Sequence, residues 1–140
     1  MTQPPRRHHH LKPELAAKLN AARDGLLSVH KALLDEERIR YEREVGPVGS
    51  AGRLLQLVIN DPWFAWLHPL SELIVSMDQA LDQKEPLTSA IAEALVKEAG
   101  TLLVPTEEGH TFSKHYYDAL QEEPDVVLAH GAVVQLIRKR

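Results

Sequence analysis

An apolar stripe near the start of this chain limits its fold more than any other feature. Leu15, Leu19, Ala22, Leu26, Val29 and Leu33 follow one another at alternating steps of four and three. That spacing returns to the same side of an α-helix at every turn and to no one side of a strand. A helix striped over this length must lay its apolar side on something, so helix packed on helix is predicted. Pro13 is suited to open it, because proline fits the first helical position. Gly46-Pro47-Val48-Gly49-Ser50 ends it and is the clearest loop in the sequence.

The helical period then resumes. A second helix is predicted from about Ser50 to Lys84, with Trp63, Trp66, Leu67, Leu70, Leu73, Ile74, Met77 and Leu81 inside an arc of about 120°. Pro62 cannot donate a backbone hydrogen bond, so a break is expected there, with Asp61 capping the second half and Pro69 distorting it again. Glu85-Pro86-Leu87-Thr88 reads as a turn with Thr88 as N-cap. A third helix over about 89–103 carries Ile91, Leu95, Ala99 and Leu102 on one side. Pro105 stops it. Thr106 is the expected cap of a fourth helix with Phe112, Tyr116 and Leu120 as apolar positions. Pro124 divides this helix, and Val126, Ala129, Val133 and Ile137 stripe its second half. No run alternates in the manner of a strand. The expected fold is therefore all-α: an antiparallel up-down four-helix bundle, broken near Pro62 and divided at Pro124. It forms one domain, 13–140, behind a flexible tail, 1–12.

Composition narrows the functional classes. A chain of 140 residues, 44 % of them hydrophobic, suits one domain with its own core. The sequence contains no cysteine, which excludes disulfides, thiolate metal sites and cysteine nucleophiles. It also points to a reducing, cytoplasmic setting. No secretory signal is read in the polar first twelve residues. No apolar run approaches the ~20 residues that span a bilayer, so no membrane association is expected. Net charge is −4, and the basic residues gather only in short terminal groups: Arg6, Arg7 and Lys12, then Arg138, Lys139 and Arg140. Binding to a phosphate backbone needs a basic stripe, so no nucleic-acid partner is expected. His8-His9-His10 can bind metal adventitiously, but reads as part of a solvated tail.

Three polar residues fall on apolar stripes. His30 lies between Leu26 and Leu33, Glu37 comes seven residues later, and His130 sits among Val126, Val133 and Ile137. Two inward imidazoles and a carboxylate are candidate ligands for a transition metal, or else core groups satisfied by ordinary hydrogen bonds. A di-iron centre of the bundle type needs more, namely Glu from two helices and Glu-x-x-His from two others. Only Glu107-x-x-His110 has that pattern, and His68 with Glu72 is expected to face solvent. Ser28, Ser71 and Ser113 lack a His and carboxylate at useful spacing, so no catalytic nucleophile is expected. No phosphate-binding glycine loop is present.

The segment Asp61-Pro62-Trp63-Phe64-Ala65-Trp66-Leu67 holds both tryptophans and one of the two phenylalanines. At about 100° per residue Trp63 and Trp66 face the core, while Phe64 points away with Leu57 and Val75. Leu57, Phe64 and Val75 would then form a second apolar strip for subunit or partner contact, and the Trp rings would line an interface or ligand pocket. Alternatively, the break at Pro62 rotates the chain and buries all three rings. The expected protein is a non-enzymatic helical bundle acting as a homodimer or through a protein partner, without cofactor. The competing reading is a metal- or small-ligand-binding bundle, such as a di-iron-like oxidoreductase or oxygen-handling protein.

Overall fold

The computed structural model describes residues 13–82 and 87–138. The predicted tail, 1–12, and the Glu85-Pro86 part of the second turn lie outside these residues. Among the described residues there are six α-helices, one 3-10 segment and no strand. They are α1 (Pro13–Glu44), α2 (Ala51–Asn60), the 3-10 segment (Pro62–Leu67), α3 (His68–Asp82), α4 (Ser89–Leu102), α5 (Phe112–Glu122) and α6 (Pro124–Arg138). None is long and apolar enough to cross a membrane.

The all-helical expectation holds, but the four-helix count does not. Both proline breaks are complete. The single helix expected over 50–84 is three elements. Asp61 leaves helical geometry and its side chain accepts from the Trp63 N–H, so it both ends α2 and caps the 3-10 segment. Pro69 does not distort a helix, because it lies in the first turn of α3, where a missing N–H costs nothing. Thr88 caps α4 as expected, accepting from Ile91 N–H. Thr106 does not cap α5. Its hydroxyl donates to the Glu108 carbonyl, and the helix starts only at Phe112, after the left-handed turn at Gly109. A single residue, Glu123, separates α5 from α6.

The predicted stripe of α1 is the axis of the core. Leu19, Ala22, Leu26, Val29 and Leu33 are all buried, and Leu15 packs at its edge. Against α1 lie α6, α3, α4 and the 3-10 segment. These contribute Leu67, Leu70, Leu73, Met77, Ala92, Val96, Val126 and Val133 to the same core. By contrast, α2 packs mainly on the 3-10 segment. His68 ties them together, its Nε2–H donating to the Val58 carbonyl (2.9 Å). It is half-buried rather than solvent-facing, whereas Glu72 is exposed.

Gly25 explains how α1 and α6 come so close. A Cβ built on Gly25 would stand 2.5 Å from Val133 Cγ2 and 2.8 Å from Val133 Cβ. The second distance cannot be opened by rotating the valine, because Cβ is fixed to the α6 backbone. Gly100, in α4, has room: its Cβ would sit 3.6 Å from Ile137 Cγ2, ordinary contact. The same substitution should therefore have opposite effects at the two sites. Gly25→Ala should cost about 1–2 kcal/mol, overpacking outweighing the gain in helix propensity. Gly100→Ala should be neutral or stabilise by up to about 1 kcal/mol. Urea unfolding of both variants checks this, and equal shifts would contradict the close approach.

Candidate functional site

The 3-10 geometry decides where the aromatic segment points. Residues three apart eclipse one another in a 3-10 helix, which turns about 120° per residue instead of 100°. Phe64 and Leu67 therefore share one column, and Trp63 and Trp66 share the next. The first column faces the core, where Phe64 and Leu67 are both fully buried. The second is half-buried along α1 and α5. Trp63 packs edge-on against Tyr41 of α1, which also touches Phe64 (centroids 5.6 Å in each case). Trp66 stacks on His115 at 4.9 Å and lies 5.6 Å from Phe112, both on α5.

The strip expected from Leu57, Phe64 and Val75 consequently does not form. Phe64 lies inside the chain, Leu57 is buried beneath α2, and only Val75 stays exposed, on α3. The surplus apolar surface of α2 is nevertheless present on other residues. Leu54, Leu57 and Val58 face inward, while Leu55 (60 % exposed) and Ile59 (57 %) lie one turn apart on the outer side. On α6, Val126 and Val133 are buried against α1, while Val127 and Leu128 (72 % exposed) face solvent.

His30, Glu37 and His130 are not brought together. Among the described residues no three His, Asp or Glu side chains are grouped as metal ligands. Each of the three has a different partner instead. His30 Nε2 is 2.9 Å from Ser71 Oγ on α3, and Ser71 in turn donates to the Leu67 carbonyl. The direction of the His30–Ser71 bond follows the imidazole tautomer: Nε2–H donates to the hydroxyl, or the hydroxyl donates to an unprotonated Nε2. His130 Nδ1 shares a 2.6 Å hydrogen bond with Tyr116, whose ring stacks on Phe112. Burial lowers both imidazole pKa values below the ordinary 6.5, with Arg138 adding to the effect at His130. Burial likewise pushes the Tyr116 hydroxyl well up. The residues missed by sequence reasoning are Ser71 and Tyr116. Both are separated in sequence from the histidines they satisfy, so only tertiary packing reveals the pairs.

Glu37 belongs to a carboxylate cluster at the junction of α1 with the α5–α6 elbow. Arg40 Nη1 lies 3.7 Å from Glu37, and Arg40 Nη2 lies 3.5 Å from both Glu122 and Glu123. One guanidinium thus answers carboxylates from two elements. Burial raises the Glu37 pKa, while Arg40 and the Trp66 and Trp63 indole N–H groups favour its charged form. Trp63 Nε1 is buried and makes no well-formed hydrogen bond, so its effect on Glu37 is electrostatic. Burial also raises the Glu36 pKa, reinforced by the adjacent Glu123 carboxyl. The cluster can pin α1 to the α5–α6 elbow; Glu107 and His110, by contrast, are exposed on the loop before α5. The chain matches no family model, no curated protein and no solved structure.

The raised Glu36 pKa fixes the sign of a pH effect. The folded chain holds this proton more tightly than the unfolded chain, whose carboxyl titrates near 4.5. The associated stability is present below that pH and is lost as pH rises through the folded value. Glu36→Gln cannot ionise and escapes the loss. Its melting temperature should exceed that of the parent at pH 7, with the difference shrinking toward pH 4. A difference that is constant with pH, or a lower melting temperature at pH 7, would contradict this account of the cluster.

Proposed function

We propose that this chain is a non-enzymatic helical protein that acts through protein–protein contact, in the first place by association with itself. One observation carries the reading: α2 and α6 each have an inner apolar side packed on the fold and a second apolar side turned to solvent. Leu55 and Ile59 stand on the first, and Val127 and Leu128 on the second. A helix with apolar residues on its outer as well as its inner side suits an assembly, because such surface gains free energy when it leaves water. Single exposed apolar residues are ordinary, but pairs repeated along a helix face mark contact surfaces. The polar candidates support the same reading, since His30, His130 and Glu37 are engaged with neighbours in the fold. A homodimer is the simplest assembly, two-fold pairing of identical patches being the commonest arrangement. The cysteine-free sequence suits a reducing, cytoplasmic setting, and the scattered basic residues suit a protein partner better than a nucleic acid.

Light scattering over a wide concentration range tests this. The mass should rise from the 15.7 kDa of one copy toward twice that value. A variant with Leu55→Gln, Ile59→Gln and Leu128→Gln should remain at one copy while keeping its helical content. A parent chain that stays at one copy up to millimolar concentration would contradict self-association.

A further inference from the structure

The solvent side of α6 is more than an apolar patch. From Val126 to Ile137 the helix contains no Asp, Glu, Lys or Arg. Its exposed side presents Val127, Leu128, Gly131, Ala132 and Gln135, and Leu128 is the most exposed large apolar residue among those described. Gly131 sits in the helix interior, where glycine costs roughly 0.5–1 kcal/mol relative to alanine. Gly25 accounts for that cost by its contact with Val133, but a Cβ on Gly131 would meet nothing within 4 Å. Within one copy, therefore, no neighbour requires a glycine there. About one to three turns beyond Leu128, on the same helix, Ala132, Gln135, Leu136 and Arg138 line a shallow groove of about 510 Å³. The helix ends in opposite charges: Asp125 in the first turn and Arg138 in the last, both exposed and without an ion-pair partner among the described residues.

We infer that two copies of this chain dock antiparallel through this side of α6, about a two-fold axis passing between Gly131 and Ala132. The proposal rests on the self-association reading and names the surface. In that register Leu128 falls opposite Gln135 of the partner subunit, so each leucine enters the other copy's groove. Asp125 falls opposite Arg138 of the partner subunit, and the relation repeats at the other end. The missing Cβ at Gly131 lets the two backbones approach at the centre, as Gly25 lets α6 approach α1. A second copy is the occupant because protrusion, groove and both unpaired charges occur on one helix at positions that a two-fold axis exchanges. An isologous contact requires that self-complementarity, whereas docking of an unrelated helix does not. The antiparallel arrangement also opposes the two helix dipoles favourably.

The test is sedimentation of the full chain and four variants, with circular dichroism as the check on folding. The parent should sediment as a dimer at tens of micromolar. Leu128→Glu should sediment as one copy with unchanged helicity, because the residue is exposed in the single chain. Asp125→Arg and Arg138→Asp each place like charges opposite one another, and each should weaken the dimer by roughly two- to fivefold. Asp125→Arg combined with Arg138→Asp exchanges the charges and should recover most of the loss. A dimer that survives Leu128→Glu, or a double exchange no better than its worse single variant, overturns the α6 interface while leaving self-association standing. A parent that never dimerises overturns both.

Discussion

The close approach of α1 and α6 at Gly25 is the contact on which the rest of the structure depends. α1 is 32 residues long, and a helix of that length gains little stability unless its apolar side is covered. α6 covers much of it, and can do so only because no Cβ stands between Gly25 and Val133. Once α6 is seated, its inner side is committed to Val126 and Val133, and its outer side is fixed as Val127, Leu128, Gly131 and Ala132. The same seating brings the α5–α6 elbow to Arg40, so that Glu122 and Glu123 share one guanidinium with Glu37. The internal packing and the outward apolar side are thus two consequences of one close contact.

The second constraint is the 3-10 segment. Six residues at about 120° each turn roughly 120° further than an α-helix would. Together with the extended residue Asp61, which resets the phase after α2, that excess puts Phe64 in the column of Leu67 inside the core and aligns both tryptophans along α1 and α5. It also leaves α2 packed on little besides this segment, which is why Leu55 and Ile59 remain outside.

Much of the fold is legible in the sequence because α1 is uninterrupted. From Leu19 to Leu33 one phase holds throughout, and every striped residue is buried. The caps at Asp61 and Thr88 are legible for a similar reason, since each acts on an N–H two or three residues away. Legibility ends where phase has to be carried across a proline. Pro62 announces a break but not the number of 3-10 residues after it, and continuing at about 100° puts Phe64 on the wrong side. Polar partners are illegible on the same grounds. His30 and Glu37 share a helix side, but Ser71 and Arg40 claim them individually, and His130 is claimed by Tyr116. Gly25 can be seen as a glycine within a helical pattern, yet its reason lies at Val133, on the last helix of the chain. Gly131 carries the same signal on the opposite side of α6, with no answering residue among those described.

A single introduced thiol tests the central claim most directly, because the chain has no cysteine of its own. Ala132 is exposed and adjacent to the proposed two-fold axis, so Ala132→Cys brings two thiols close together across that axis in the dimer. Ser89→Cys, at the exposed start of α4, is the control. Under mild oxidation in dilute solution, Ala132→Cys should convert rapidly to a disulfide-linked dimer and Ser89→Cys should convert slowly. Equal rates, or faster linkage through Ser89→Cys, would contradict the claim that this chain works by pairing along α6.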